Sequence, residues 1–425
     1  MSFALYGPVK TWSRGTASTG TEMNVHLAGD KLLIYRQDTG RFSLYDLSFN
    51  EIALLKSTTD FSRIHYLALH RLGKNPEFYS GYGDGVSPRC QKPYGTCASE
   101  LERYTYGSST TELLCPNENC EEGNVHEAFY DAKTGKMIVN TGGNGNKLYL
   151  VDPETKMFTK WSARGAGMTT HFGVKAIIYD DNYLYVAIKK LPRNGGSFEI
   201  RRYRVDDDFL ANFGEGSIED YGEQVYYEET SSKEPTDRGV LTFAPNKKAI
   251  QIYDIAINRS YEYDPTTNTF NGPFFSYDKR YFGKYMLRYY GTGGDVYDVE
   301  THTNVQPISF PPGQEERCGL ASQQTDPIFL VTRDDSNLYV YLLTYNNKAP
   351  VIQYDHVNRK IRVVDFITGN PITATLWVWK SRFCYTRDAY PLNIAPQTLS
   401  VSDWTSIPSA YKTECLTFAI KEVLT

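Results

Sequence analysis

Seven cysteines are the most reactive side chains of this 425-residue chain, and four of them are close together. The cluster consists of Cys90, Cys97, Cys115 and Cys120. Six and four residues separate the members of its two pairs, a weak match to the paired thiolates of zinc sites. We therefore predict one or two disulfides in this polar stretch, with zinc ligation and free thiols as the alternatives. The remaining cysteines, Cys318, Cys384 and Cys415, are scattered.

Two acidic triplets are the candidates for a calcium site. They are Asp180-Asp181-Asn182 and Asp206-Asp207-Asp208. Calcium prefers oxygen ligands of this kind. Both triplets, however, fall where the pattern predicts tight turns, and Asp and Asn are favoured there for local reasons. We predict no cofactor, with calcium as the alternative.

The chemistry of catalysis has no clear sequence signal. The seven histidines occur in no His-x-His, HExxH or two-His-one-carboxylate spacing. No Gly-x-Ser-x-Gly nucleophile motif occurs. The carboxylates Glu315-Glu316 lie in a predicted loop without an identifiable partner, so a glycosidase has no support. We predict no catalytic residues.

Aromatic residues are the better candidates for a functional surface. The chain contains 34 Tyr, several of them in or near predicted connections. Exposed Tyr and Phe make good anchors for protein or sugar partners. The candidate binding residues are Tyr226, Tyr227, Phe275, Tyr277, Tyr281 and Tyr289. At each of them, packing between structural units is the alternative.

A recurring hairpin must position these side chains. Lys147–Trp161 alternates apolar and polar residues, turns at 152–155, and alternates again, which predicts two strands and a tight turn. Further copies are Phe42–Leu55, Leu101–Leu114, Ile200–Phe213, Tyr261–Phe274, Asp295–Ile308 and Val351–Phe366. They lie roughly 35 to 60 residues apart, as propeller blades do.

Units of this kind predict an all-β, seven-bladed β-propeller made of a single domain, residues 1–425. A four-stranded unit with one apolar face must stack on neighbours to bury that face, and a ring leaves no exposed end. Six or eight blades and paired β-sandwiches are the alternatives. We expect the N-terminus to supply one strand to a blade. Residues 367–425 depart from the repeat and predict a closing or capping segment within the domain.

Two local predictions concern how the units divide. Pro327–Phe366 predicts the seventh unit, with four strands of its own. In the fourth unit we expect the last strand near Phe209–Phe213, and we expect Gln224–Asp237 to be an exposed connection.

Two blade ends carry a known pattern. Val151–Trp161 (VDPETKMFTKW) and Tyr263–Phe270 (YDPTTNTF) resemble the YDPxTxxW outer strands of kelch-like propellers. The pairs Gly142-Gly143 and Gly293-Gly294 match the upstream glycines of that repeat. The resemblance covers the blade ends and implies the propeller fold.

Composition excludes several functions. A net charge of −5 and a pI near 5.9 argue against a nucleic-acid surface, which needs clustered basic residues. No apolar run reaches the 18 residues that suggest a membrane span. Residues 1–12 show no signal-peptide pattern. Disulfides would need an oxidising setting, whereas the missing signal-peptide pattern indicates the cytoplasm. A virion, assembled in cytoplasm and then released, would satisfy both conditions, so we expect either a virion or the cytoplasm as the location.

The sequence favours a non-enzymatic propeller that binds protein partners or serves as a structural module. A receptor or a glycan is a further candidate partner, and a virion component is the favoured setting. The alternative function is a channel-centred hydrolase or lyase acting on sugars or small esters.

Overall fold

A computed structural model gives the three-dimensional structure of the chain. It describes residues 2–15, 23–28, 30–36, 38–57, 63–70, 77–83, 101–105, 108–114, 124–142, 147–164, 173–179, 182–190, 196–230, 239–241, 250–254, 259–275, 281–282, 284–290, 292–298, 300–316, 328–355, 357–385, 396–409 and 415–424.

The first strand, β1 (Phe3–Ser13), is followed by six sheets that each contain four consecutive antiparallel strands. Sheet 1 contains β2 (Met23–Ala28), β3 (Lys31–Arg36), β4 (Arg41–Tyr45) and β5 (Glu51–Ser57). Sheet 2 contains β6 (Arg63–His70), β7 (Glu77–Gly83), β8 (Leu101–Thr105) and β9 (Thr111–Leu113). Sheet 3 contains β10 (Asn124–Asp131), β11 (Met137–Gly142), β12 (Lys147–Asp152) and β13 (Met157–Ser162).

The next three sheets repeat this arrangement. Sheet 4 contains β14 (Gly173–Tyr179), β15 (Tyr183–Lys190), β16 (Gly196–Arg204) and β17 (Glu223–Thr230), with the helix α1 (Asp207–Ala211) before β17. Sheet 5 contains β18 (Gly239–Leu241), β19 (Ile250–Asp254), β20 (Arg259–Asp264) and β21 (Thr269–Phe275). Sheet 6 contains β22 (Tyr281–Phe282), β23 (Tyr285–Tyr290), β24 (Gly293–Asp298) and β25 (Thr303–Ser309).

Sheet 7 joins the two ends of this series. It contains β26 (Glu315–Glu316), β27 (Ile328–Arg333) and β28 (Asn337–Tyr345), and its fourth strand is β1. Pairing runs from Phe3 opposite Tyr345 to Ser13 opposite Asn337. The prediction that the N-terminus supplies a strand is therefore confirmed. Because β1 occupies the edge of β28, that edge is closed to further strands.

The remaining strands form two more sheets. They are β29 (Pro350–Asp355), β30 (Lys360–Asp365), β31 (Pro371–Ile372), β32 (Ala374–Ser381), β33 (Phe383–Tyr385), β34 (Gln397–Val401), β35 (Thr405–Ser406) and β36 (Cys415–Val423). Sheet 8 contains β29, β30, β31 and β35; sheet 9 contains β34, β32 and β36. We predicted that Pro327–Phe366 forms one four-stranded unit, and this is wrong. Its first two strands, β27 and β28, belong to sheet 7, and its last two, β29 and β30, belong to sheet 8.

Neighbouring sheets contact one another in cyclic order. Apolar clusters join sheets 1 and 2, 2 and 3, 3 and 4, 4 and 5, and 6 and 7. Between sheets 5 and 6, His302 Nε2 lies 3.5 Å from Glu262 Oε1. The circle closes where the Trp12 ring of sheet 7 lies 6.0 Å from Tyr45 and 5.9 Å from Phe49 of sheet 1. The fold is a β-propeller, as predicted; the number of blades stays a prediction.

Several of the predicted hairpins contain the same type of turn. In Asp152–Lys156 the aspartate carboxylate accepts hydrogen bonds from the two N–H groups of Glu154 and Thr155, at 3.0 and 3.1 Å. The fifth residue of the turn, Lys156, has a positive φ of 59°. The same geometry recurs at Asp298–His302, where φ of the fifth residue is 57°. The aspartate at the strand end therefore satisfies turn amides that would otherwise lack a partner.

Sheet 4 differs from its prediction. Residues Asp207–Ala211 form a short helix, with Asp206 at its N-cap accepting a hydrogen bond from Phe209 N at 2.9 Å. Acidic residues are favoured at a helix N-terminus, which explains why this stretch is not a strand. The fourth strand comes later, at β17, where we expected an exposed connection.

In the part of the chain that the structure describes, we find no helix with the length and apolarity needed to cross a bilayer.

Candidate functional site

The described strands between residues 350 and 424 form sheets 8 and 9, which pack against each other. Ile352, Ile361 and Val363 of sheet 8 share an apolar cluster with Leu376 and Phe418 of sheet 9. The rings of Tyr354 and Phe418 lie 5.7 Å apart between the two sheets. Burial of these side chains holds the C-terminal segment together.

One end of this segment is attached to sheets 1 and 7. The ring of Phe366 lies 6.2 Å from Phe49 of sheet 1 and 5.5 Å from Phe329 of sheet 7. The backbone N–H of Phe366 donates to the carbonyl of Ala349 at 2.7 Å. The contact is apolar and lies where the ring closes.

The other end is attached to sheet 3 through β33. Strand β33 pairs antiparallel with β10, from Phe129 opposite Tyr385 to Asp131 opposite Phe383. Sheet 3 thereby gains a fifth strand on the free side of β10, its first strand. In a propeller the first strand of a blade faces the central channel, so β33 occupies the channel side of this sheet.

An arginine–aspartate pair fixes this attachment. Arg382 Nε and Nη2 donate to the two carboxylate oxygens of Asp131 at 2.7 and 2.5 Å. Its Nη1 donates to the carbonyl of Val205 in sheet 4 at 3.1 Å. The Asp131 side chain is only 3% exposed. This bidentate geometry is the strong form of an ion pair.

A disulfide closes the same region. Cys384 of β33 and Cys415 of β36 are bonded, with their Cα atoms 5.1 Å apart. Both cysteines are buried in the apolar cluster that contains Leu101 of sheet 2 and Met137 of sheet 3. The segment is therefore cross-linked where it meets sheets 2 and 3.

These contacts give the segment a definite path. Sheets 1 and 7 adjoin each other, and sheets 3 and 4 lie across the cyclic series from them. The described strands of the segment therefore contact sheets on two sides of the cyclic series, and β33 lies on the channel side of sheet 3. Arg382, Asp131, Cys384 and Cys415 are the main residues of this site.

Sequence reasoning did not find these residues. Arg382 and Asp131 are 251 positions apart, and no motif links them. Cys384 and Cys415 are separated by 31 positions, and we left both among the scattered cysteines. The repeat of the Asp-x-x-Thr turn at Asp131 was the one available signal, and it indicates a turn rather than an ion pair.

The candidate aromatic residues divide into two groups. Tyr226 packs between sheets 4 and 5, with its ring 4.5 Å from Phe270 and its hydroxyl donating to Glu228 at 2.7 Å. Tyr227, on the opposite face of β17, is 49% exposed. For Tyr226 the packing alternative fits better, whereas Tyr227 is accessible to a partner.

The other candidates are only partly described. Phe275, Tyr281 and Tyr289 belong to β21, β22 and β23, but their side chains fall outside the described part of the structure. Tyr277 lies outside the described residues, as do Cys90, Cys97, Cys115 and Cys120. Their predicted roles stay predictions.

The calcium candidates have other contacts where they are described. Asp206 caps α1, and the Asp207 carboxylate accepts a hydrogen bond from Lys133 at 2.9 Å. Asp180 and Asp181 lie outside the described residues. Within the described ranges, no group of three or more His, Cys, Asp or Glu is arranged to hold a metal ion.

No family model and no curated protein matches the chain. It is similar to virginiamycin B lyase from Staphylococcus aureus, at 12% identity and a TM-score of 0.46, over 81% of this chain and 100% of that chain. A chain of the mitotic checkpoint complex is similar at 9% identity and a TM-score of 0.48, over 79% and 95%. A chain of a nidogen/laminin complex is similar at 11% identity and a TM-score of 0.38, over 69% and 94%. Since these TM-scores are below 0.5, the fold assignment rests on the strand pairing of the chain itself.

Proposed function

We propose that the chain is a non-enzymatic β-propeller that binds a protein partner on the outer side of its ring. The observation that carries the proposal is the path of residues 350–424. The described strands of this segment contact sheets 1 and 7 through Phe366, and β33 pairs with the channel side of sheet 3. A ligand-binding or catalytic centre in the channel would compete with this strand for the same edge. Within the described strands, the outer strands of sheets 1 to 6 pair with no strand of this segment.

The outer strand β17 is the favoured docking element. Tyr227 is 49% exposed there, and β17 ends sheet 4 with one edge unpaired within the sheet. An exposed tyrosine gives a large contact area at a small entropic cost, and an edge strand offers backbone donors and acceptors. Glu223, Gln224 and Glu229 on the same strand are exposed and supply a polar rim.

The whole chain, residues 1–425, acts as a single domain in this proposal. Residues 367–425 are its capping segment, held by the Arg382–Asp131 pair and by the disulfide. The kelch-like type stays part of the proposal, supported by the shared Asp turns at the blade ends. Glycan binding at the Tyr227 surface is not part of it.

The disulfide bears on the proposed location. Structural disulfides persist in oxidising surroundings and are rare in the cytosol. A virion component, made in cytoplasm and then released, meets this condition, and we propose that setting. Blocking free thiols during isolation, followed by mass spectrometry of the peptides that contain Cys384 and Cys415, tests it; reduced thiols in the mature protein would contradict it.

The functional test uses affinity purification of the full chain from its native source. We expect one protein to copurify in fixed proportion and to bind the purified chain directly in a titration. The Tyr227→Ala variant should weaken that binding by about tenfold or more. Tyr6→Ala is the matched control, since Tyr6 is 44% exposed on a different sheet and should leave binding unchanged.

The competing function predicts a different result. A channel-centred hydrolase or lyase should turn over simple glycosides or esters as the purified chain alone. Turnover that survives Tyr227→Ala and stops when a channel residue is changed would contradict the proposal. Equal binding by the wild type and Tyr227→Ala would remove β17 as the docking element.

A further inference from the structure

An exposed aromatic platform lies on sheet 8, away from the β17 surface. Strand β35 pairs with β30 so that Ser406 is opposite Lys360 and Thr405 is opposite Ile361. This register brings Trp404 beside Arg362. The Arg362 guanidinium lies 4.4 Å from the centre of the Trp404 ring.

Hydrogen bonds and charge hold the arginine in this position. Arg362 Nε donates to Gln353 Oε1 at 2.9 Å, and Gln353 is buried on β29. Arg362 Nη1 lies 3.7 Å from Asp403 Oδ1. The guanidinium is thus fixed by the amide, the carboxylate and the indole face, and the cation–π contact in turn orients the ring.

Trp404 differs from the buried tryptophans of this chain. Trp161 and Trp379 are 2% and 1% exposed, whereas Trp404 is 37% exposed. Arg362 lies over one face of the Trp404 ring, and more than a third of the residue stays exposed. An apolar ligand that removes exposed indole surface from water gains free energy. A fixed and exposed indole is therefore ready to receive an apolar ligand face.

The polar side chains beside the Trp404 indole limit the class of ligand that can bind there. The Asp403 side chain is 65% exposed and accepts hydrogen bonds, while Arg362 is 26% exposed and donates them. The two charges lie close together and largely offset each other, so the platform attracts neither anions nor cations strongly. A pyranose ring matches these features, since it has C–H bonds on one face and hydroxyl groups around its edge. The electron-rich indole face attracts such C–H bonds.

We propose that Trp404, Arg362 and Asp403 form a binding subsite for a neutral pyranose unit of a glycan. The sugar stacks on the free face of Trp404. One hydroxyl donates to the Asp403 carboxylate, and a neighbouring oxygen accepts from Arg362. This subsite is separate from the protein-binding surface of β17, so either proposal holds or fails without the other.

The test titrates the full chain with three neutral oligosaccharides, chitotriose, maltotriose and cellotriose. Saturation-transfer NMR detects binding, and isothermal titration measures it. We expect at least one of them to bind, and Trp404→Ala to weaken it by at least about tenfold. Trp404→Phe keeps an aromatic face and should retain part of the affinity. Asp403→Asn should weaken binding less than Trp404→Ala. Tyr6→Ala, at an exposed aromatic residue of a different sheet, is the control that leaves binding intact.

Three results would overturn the proposal. The first is no binding of any of the three sugars up to about 10 mM, tenfold above a weak millimolar affinity. The second is binding that Trp404→Ala does not change while the variant keeps the wild-type melting temperature. The third is loss of a protein partner, rather than a sugar, in Trp404→Ala, which would identify the platform as a protein contact.

Discussion

At the scale of single residues, the fifth position of the Asp-x-x-Thr or Asp-x-x-Asn turn explains much of the local structure. Its φ is positive at Gly135 and Gly369, and also at Lys156, His302 and Arg359. Glycine adopts this left-handed conformation without strain, whereas a residue with a side chain pays about 1–2 kcal/mol. The chain therefore accepts strain at some turns and avoids it at others.

Gly369→Ala should lower the free energy of unfolding by about 1 kcal/mol. Gly369 has a φ of +72° and nothing within 4 Å of an added Cβ, so the cost is backbone strain alone. Denaturant unfolding measures it. Lys156→Gly is the control in the opposite direction, since it places glycine at a position with positive φ. It should not destabilise the protein, because relief of backbone strain offsets the loss of the exposed ion pair between Lys156 and Glu112. Equal losses in both variants would contradict the explanation.

Asp298 should make part of the stability depend on acid pH. Burial raises the pKa of Asp298, but the ammonium of Lys284 at 2.7 Å and the N–H groups of Thr301 and Glu300 outweigh it, and the pKa lies below its ordinary value. The unfolded chain, with an aspartate pKa of about 3.9, then binds more protons than the folded chain. This stability is present above about pH 4 and is lost as pH falls through the folded pKa.

Melting temperatures from neutral pH down to about pH 2.5 test this sign. The wild type should lose stability below about pH 4, and Asp298→Asn should be less stable at neutral pH and lose less on acidification. Parallel curves for the two proteins would show that Asp298 does not contribute.

At the scale of elements, the end of an outer strand packs against the next sheet. Trp161, at the end of β13, has its ring 5.2 Å from Tyr203 and 5.1 Å from Phe213 of sheet 4. Trp12, at the end of β1, makes the corresponding contact with sheet 1. At these two junctions, a sheet buries the strand end of the sheet before it.

The attachment of β33 should depend on the Arg382–Asp131 pair. Arg382→Met leaves the buried Asp131 carboxylate without its cation and should cost about 3 kcal/mol or more. Adding Asp131→Asn should restore part of the loss, because the uncompensated charge is gone. A double-mutant cycle by denaturant unfolding gives the coupling free energy.

Hydrogen exchange of β32 and β36 reports whether the segment opens in these variants. Lys133→Met is the matched control, since the Lys133–Asp207 pair is exposed and should make no measurable difference. Additive losses in the cycle would mean that Arg382 and Asp131 act independently.

At the scale of the whole molecule, the strand β1 closes the ring. It pairs with β28 along most of its length, and Gln306 of sheet 6 accepts a hydrogen bond from Phe3 N at 2.9 Å. On the other side, Asp38 of sheet 1 accepts from Gly15 N at 2.7 Å. Sheets 6, 7 and 1 are thus joined through one N-terminal segment.

Removal of residues 2–15 should abolish the stable monomer. It exposes the edge of β28 and the apolar side chains around Phe49, and an unpaired edge of this kind invites association. Size-exclusion chromatography with light scattering should show oligomers or aggregate. A synthetic peptide of residues 2–15, added during refolding, should restore the monomer. A monomer with unchanged melting temperature after the deletion would contradict the role of β1.

Much of the fold was predictable because it is local. Alternation and Asp turns located the hairpins of sheets 1, 3, 5 and 6 and the first hairpin of sheet 8. The errors came where a local pattern competed with another element. Asp206 caps a helix where we predicted the last strand of sheet 4, and that strand is β17 instead. In sheet 7, β1 pairs with the edge of β28 where the prediction placed a later strand of the seventh unit.

The candidate site was less predictable. Tyr227 is exposed and Tyr226 is packed, although they are neighbours of the same residue type, because adjacent side chains of a strand point to opposite faces. Sheet 5 packs against the face of β17 that contains Tyr226. The local sequence around the two tyrosines does not indicate which face this is.

By itself, the sequence determined an all-β chain of hairpins, their turns, and the need to stack their apolar faces. These properties follow from side-chain alternation and turn chemistry, which act within a few residues of one another. Only the tertiary structure decided which strand closes the ring, that Cys384 bonds to Cys415, and that β33 pairs with sheet 3. Such pairings join positions tens to hundreds of residues apart, and they depend on packing across the ring, where sequence spacing carries no information.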